Sequence, residues 1–236
     1  MRFRFPLLIL CLLNASFASA QRVSFGIKGG LNYSTEITTT HAYIDRTGQP
    51  AGTESRRTEG YKAGVKLGAF ARIDLNRLLS LAPALLWNEK GFSRDFTYYD
   101  RSIPDFLRKR NHVTYHYLSL DIPFQFRLDR PRFSPYLLLG ARLETPIGYR
   151  QSLRASDVPE EYLPVYDFRR SYYQDHPDVN VGLLTAIGAE KRIGPAWTVF
   201  LELEYNPSIS NSYKARNLEM RNQLFALNVG LRRQQK

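Results

Sequence analysis

Glu202 and Glu204 stand two residues apart in a run of alternating hydropathy, so their carboxylates project side by side from one face of a strand. Paired carboxylates can divide acid and base roles in catalysis. Both glutamates, however, occur in a chain with many arginines available to pair with them, and an ion-paired carboxylate is the plainer reading. The four histidines, His41, His112, His116 and His176, fall in long connecting segments or at strand ends. His112 and His116 share one strand face, but four residues of extended chain separate them by about 13 Å, too far to hold one metal. A lipid A-modifying enzyme would draw on His116 and a loop serine, and no motif supports it. Cys11 is the only cysteine. No G-x-S-x-G, H-E-x-x-H, P-loop or zinc spacing occurs. The chain reads as a non-enzyme that needs no cofactor and no metal.

The start of the chain explains why the lone cysteine carries no chemistry. Arg2 and Arg4 precede an apolar run from Leu7 to Leu13, followed by Ala18-Ser19-Ala20, the layout of a secretory signal with cleavage near Ala20. The expected division is therefore a signal peptide over residues 1–20 and one domain over residues 21–236. A lipoprotein signal built on Cys11 is disfavoured by the large Leu10 before it. The whole chain has 33 basic and 22 acidic residues. Removing Arg2 and Arg4 leaves 31 against 22, a net charge of +9. For a secreted chain such an excess points to anionic lipid or surface polysaccharide, and not to nucleic acid.

The elements that hold these residues are strands. In YLSLDIPFQFRL, residues 117–128, Leu118, Leu120, Ile122, Phe124, Phe126 and Leu128 form one file and Tyr117, Ser119, Asp121, Pro123, Gln125 and Arg127 the other. The same period of two marks eight segments, near residues 22–35, 60–75, 78–92, 113–128, 134–149, 179–192, 196–206 and 222–233. Three connections are short, at 75–77, 129–133 and 193–195. Four are long, at 36–59, 93–112, 150–178 and 207–221. Short and long alternate, so an up-and-down arrangement sorts every short turn to one end with both termini. An even strand number with short periplasmic turns and long external loops is the plan of an outer-membrane barrel. The expected fold is all-β: an eight-stranded antiparallel up-and-down transmembrane β-barrel.

Which file faces inward decides between this and a soluble, lipocalin-like barrel. The polar file carries Gly26, Gly30, Gly140, Gly182, Gly188 and Gly230, which suit a crowded interior. The apolar file is bulky, and an eight-stranded barrel is only wide enough inside for ordinary side chains. Aromatic residues collect at both ends of the strands: Phe25, Phe124, Phe126 and Trp197 near the short turns, Tyr33, Tyr61, Trp87, Phe92, Tyr149 and Tyr205 near the long loops. These are two interfacial belts. The leucines face lipid.

The lumen then receives Lys28, Lys62, Lys66, Arg72, Lys90, Arg127, Arg142 and Arg192 together with Asp74, Asp121, Glu144, Glu190, Glu202 and Glu204. Buried charges persist only when paired, so an ion-pair network plugging the barrel is expected. A narrow channel is the alternative.

The segments FGIKGGLNYS, GYKAGVKLGAFARIDL, YLSLDIPFQFRL, SPYLLLGARL and NQLFALNVGLRR resemble the small outer-membrane barrels of Bacteroidetes-type bacteria labelled PorT-like. The resemblance spans nearly all of the chain after the signal. It implies integral outer-membrane residence, contact with the barrel-insertion machinery and, for some relatives, a part in protein secretion. The final LRRQQK departs from the terminal phenylalanine of many outer-membrane proteins.

Specific binding is expected in the long loops. Arg101, Arg108, Lys109 and Arg110 fall in the second, and Tyr162, Tyr166, Arg169, Arg170, Tyr172 and Tyr173 in the third. Tyrosine and arginine give large contacts at modest entropic loss, and rim arginines can clamp lipopolysaccharide phosphates. The expected partners are outer-membrane lipid, lipopolysaccharide, and another envelope or secretion protein.

Overall fold

A computed structural model describes residues 22–41, 43–44, 50–51, 54–98, 107–128, 130, 133–154, 179–215 and 218–233. The expected signal segment and the tyrosine-rich part of the third loop lie outside these residues.

Eight long strands form the wall: β1 (Arg22–Thr40), β2 (Gly60–Asp74), β3 (Leu79–Leu81 and Ala84–Tyr98), β4 (Leu107–Arg127), β5 (Ser134–Arg154), β6 (Asn180–Ile193), β7 (Trp197–Pro207) and β8 (Leu218–Arg233). Each pairs antiparallel with its neighbour in sequence. The ring closes through β1 and β8, from Phe25 opposite Arg233 to Thr40 opposite Leu218. Closure leaves no unpaired strand edge in the apolar band, the condition for β-structure in lipid.

The short turns are locally determined. Between β2 and β3, the Asn76 side chain accepts hydrogen bonds from the backbone of Leu78 and Leu79, each 2.8 Å long. Between β6 and β7, Gly194 takes a positive φ of 79°, which an L side chain resists. β3 is interrupted at Ala82–Pro83, since proline has no N–H for the ladder.

The outer ends differ from the expected boundaries. β1, β3, β4, β5 and β8 all continue past them, so much of the second long loop is in fact a hairpin from Tyr98 opposite Leu107 downward. Alternation over Phe96-Thr97-Tyr98 and its partner strand sustains the pairing beyond the membrane band. Two bulges re-aim side chains on the way, one on β2–β3 between Tyr61 and Lys66 and one opposite His116/Tyr117 on β4–β5.

Burial settles the facing. Leu118, Leu120, Ile122, Phe124 and Phe126 are between 40% and 46% exposed on the isolated chain, whereas Ser119 and Asp121 are fully buried at 0%. The same holds for Leu31, Leu67, Leu85, Leu139, Leu201, Leu203 and Val229, all outward. At the outer belt Tyr33 stacks on Tyr61 at 5.0 Å and Tyr205 on Phe225 at 4.7 Å. Phe25 and Tyr33 lie eight residues apart on β1, about 20 Å along the normal for a strand tilted near 40°. With the rings themselves, that spans the apolar band of a small barrel. Phe92 is a correction: it is buried and packs inward with Val113, Tyr115, Tyr117 and Met220, because its position on β3 has the luminal parity.

The inward glycines have a specific role. Gly26 sits opposite Phe70, Gly188 opposite Tyr136 and Gly230 opposite Phe200, in each case on the neighbouring strand. Each ring lies across the space that a Cβ on the glycine would occupy. Phe70 and Phe200 meet edge to face at 5.4 Å, so these rings fill the lower lumen together. Gly230→Ala is therefore expected to lower stability by roughly 1–3 kcal/mol through overpacking. Urea unfolding of the refolded barrel measures this; Phe200→Leu in the same chain should recover part of the loss.

Candidate functional site

Inward positions accumulate charge in the order the strands dictate. On β7, Phe200, Glu202 and Glu204 are successive inward residues; on β5, Tyr136, Leu138, Arg142 and Glu144 line the same side. The closed ring brings the opposite wall, with Lys28, Lys66 and Lys90, to meet them.

Arg142 is the centre. Its guanidinium donates to both oxygens of Asp121, at 2.5 and 2.8 Å, and lies 2.8 Å from Glu204. The fork geometry of arginine suits this two-pronged grip. Lys66 donates to Glu204, and Lys90 donates to Glu144 at 2.6 Å. Lys28 lies 3.4 Å from Glu202 and 3.9 Å from Asp121. Neutral donors complete the shell: Tyr136 gives its hydroxyl proton to Glu202 at 3.0 Å, and Asn228 donates to Glu202 and Glu204 at 3.0 and 2.9 Å. Ser119 donates to Glu144 at 3.1 Å. Four cations (Lys28, Lys66, Lys90, Arg142) thus face four anions (Asp121, Glu144, Glu202, Glu204), a neutral cluster in a space shielded from water.

A second cluster closes the short-turn end. Glu190 accepts from Arg72 at 3.0 Å and from Arg127 at 3.0 Å and lies 3.2 Å from Arg232. Arg72 also donates to Asp74 at 2.7 Å. Above the central cluster, Lys90 lies 5.6 Å from the centre of the Tyr117 ring, and the buried Tyr115, Tyr117 and Phe92 fill the outer lumen. The internal space lined by Lys28, Phe70, Gln125, Tyr136, Phe200, Glu202 and Arg232 amounts to about 20 Å³. That is room for one water molecule and no continuous path.

Of the residues expected in the network, Lys66, Arg72, Asp121, Arg127, Arg142, Glu144, Glu190, Glu202 and Glu204 are placed in these two clusters. Arg192 is not. It has the luminal parity but lies exposed at the end of β6, two residues below Glu190, where the strand has already left the barrel. The partner of Glu202 is also corrected: it is Lys28, with Tyr136 and Asn228, and not an arginine. Arg232 was missing from the expected set although the parity of Asn228 and Gly230 leads directly to it. Tyr136, Asn228 and Ser119 were missed because a neutral residue on a polar file carries no mark of its partner.

The rim residues divide by description. Arg108, Lys109 and Arg110 lie on β4 and not in a loop, with Lys109 opposite Phe96 and Arg110 between Asp95 and Arg154 in the register. Arg101, Tyr162, Tyr166, Arg169, Arg170, Tyr172 and Tyr173 lie outside the described residues. His116 is on the outer wall and stacks on Trp87 at 5.5 Å. Among the described residues no group of three or more His, Cys, Asp or Glu side chains could hold a metal ion.

A closed antiparallel ring with a lipid-facing apolar exterior and a lumen filled by ion pairs defines a transmembrane β-barrel. The sequence profile described as "Outer membrane protein beta-barrel domain" matches residues 14–214, and the chain belongs to that family. It is an integral protein of the outer membrane. No curated protein sequence matches the chain significantly. Among solved structures it is similar to Neisserial surface protein A, with 14% identity, 90% of this chain and 99% of that chain covered, and a TM-score of 0.42. The outer membrane protease OmpT from Escherichia coli is similar at 11% identity, covering 93% and 100%, with a TM-score of 0.48. The attachment invasion locus protein Ail of Yersinia pestis is similar at 13% identity, covering 89% and 99%, with a TM-score of 0.31.

Proposed function

We propose that the protein is a sealed outer-membrane scaffold whose specific activity is interaction, carried by its extracellular segments. The observation that supports this most is the lumen. Its cations and anions are used up on one another, and the residual space is about 20 Å³, so a solute has no route through the wall. A barrel that transports nothing through its interior acts through its surfaces, and the rim on a rigid scaffold is where binding residues gather. We assign it no reaction: Glu202 and Glu204, the carboxylate pair of catalytic spacing, are each bound by cations inside the plug.

Within the family, the closer kinship we propose is with the PorT-like barrels, on FGIKGGLNYS, YLSLDIPFQFRL and the other quoted segments. On that reading the partner is another envelope protein, including a subunit of a secretion machine, and the barrel serves as its membrane anchor, not its conduit. Lipopolysaccharide is the lipid partner the cationic rim would accept.

Two measurements test this. In planar bilayers the purified barrel should give no discrete conductance steps at moderate voltage. In native envelopes, photo-crosslinkers placed along residues 156–174 should trap a defined partner. Steady single-channel conductance would replace the scaffold reading by a pore.

A further inference from the structure

We infer that the wall at the short-turn end holds an anionic phospholipid of the inner leaflet, its phosphate between Arg130 and Lys191 and an acyl chain in the groove above them. The register lays out three rows across β4, β5 and β6. In the first, Phe126 is opposite Leu137 and Leu137 opposite Ile187, all outward. In the next, Leu128 donates its backbone N–H to Pro135 at 3.0 Å, and Pro135 is opposite Ala189. The last row, beside the turns, is Arg130, Phe133 and Lys191, all exposed.

The middle row is shallow. Pro135 and Ala189 are small beside Phe126 and Ile187 above them, and β7 adds Leu201 opposite Ala189 and Leu203 opposite Ile187. The result is an apolar concavity of about 710 Å³ on the outside of the barrel. That falls in the range of about 300–1,000 Å³ typical of small-molecule sites, and only an apolar chain suits its lining.

The cations end the same outward files. On β4 the file Phe124, Phe126, Leu128 finishes at Arg130; on β6 the file Leu183, Ile187, Ala189 finishes at Lys191. Two strand spacings separate the two, about 10 Å, which long side chains bridge around one phosphate. The sign is consistent around this end. Among the described residues there, Arg22, Arg77, Arg130, Lys191, Arg192 and Arg233 are exposed cations. The carboxylates of Asp74 and Glu190 are already held by Arg72. At the opposite end the exposed charges are mixed: Glu54 accompanies Arg56 and Arg57, and Arg221 lies 3.9 Å from Glu219. A one-signed belt at the level of the headgroups, next to an apolar groove, fits a phosphate-bearing lipid with its tail in the bilayer.

The test uses the full mature barrel reconstituted in equimolar phosphatidylglycerol and phosphatidylcholine, with lipids retained after extraction read by native mass spectrometry. Wild type should retain phosphatidylglycerol preferentially. R130Q/K191Q should lose about 25-fold of that preference, at about fivefold per cation near the membrane surface. A189W fills the groove with both cations intact and should also lose retention. Both variants are on the outer wall, and unchanged heat-modifiable mobility on gels verifies their folding. Excess inorganic phosphate should not displace the lipid. Equal retention of the two lipids by wild type, or an unaltered preference in R130Q/K191Q, overturns the site. Displacement by phosphate, or full retention in A189W, reduces it to unspecific anion capture and equally overturns it.

Discussion

Replacing Arg142 by methionine should destabilise the barrel by about 3–5 kcal/mol, the usual result of stranding a buried charge. The geometry gives the reason. Arg142 is fully buried and supplies both hydrogen bonds from the guanidinium to Asp121, at 2.5 and 2.8 Å. Without it, Asp121 keeps only Lys28, at 3.9 Å. Glu204 loses a cation at 2.8 Å but retains Lys66, so the damage centres on Asp121. Methionine has similar length and fits the space, so packing changes little and the charge term dominates. Adding Asp121→Asn should recover a large share, because the amide needs no counter-ion. The double-mutant cycle, measured by urea unfolding in lipid vesicles, should therefore show strong coupling between the two positions. A single variant as stable as wild type would mean that water reaches Asp121, and the lumen would then be an open path.

That result depends on features of which some were legible in the chain and some were not. Facing was legible, since Leu118 to Leu128 and Ser119 to Arg127 separate by parity alone, and a strand has only two faces. The sorting of loops by length placed the ends. Depth along the strand was not legible. Arg192 and Glu190 share a parity, but one residue pair marks the difference between the plug and the exposed end. Phe92 shows the same limit: its aromatic character suggested a belt, whereas its register puts it inside with Tyr115 and Tyr117. Strand ends at the outer side were not legible either. Pairing there depends on the neighbouring strand, and Arg110 continues in the sheet only because Asp95 and Arg154 lie across from it. Cross-lumen partners were least visible. Lys28 and Glu202 are 174 residues apart, and only closure of the ring between β1 and β8 brings them to 3.4 Å.

Excising residues 156–174 should abolish partner capture while leaving an inserted, heat-modifiable barrel. The wall strands β5 and β6 pair from Ser134 opposite Glu190 to Glu144 opposite Asn180, below the excised segment. A short polar linker between Arg154 and Val179 preserves that ladder, and lengthening or shortening a surface connection changes stability only slightly. The segment contains Tyr162, Tyr166, Arg169, Arg170, Tyr172 and Tyr173, a composition that a connection does not need for folding and that binding surfaces favour. Neutralising Arg108, Lys109 and Arg110 is a milder test of the same idea. It should weaken binding more at low salt than at high, since exposed charges are screened beyond a Debye length of about 8–10 Å near physiological ionic strength. The two variants separate the contributions: the excision removes aromatic contact area and charge together, while the triple neutralisation on β4 removes charge alone. Crosslinking in native envelopes, compared with wild type, reads both. A barrel lacking residues 156–174 that still captured the same partner at wild-type yield would shift the interaction from the outer rim to the lipid-facing wall, where the outward leucines of β6 and β7 would be the next residues to change.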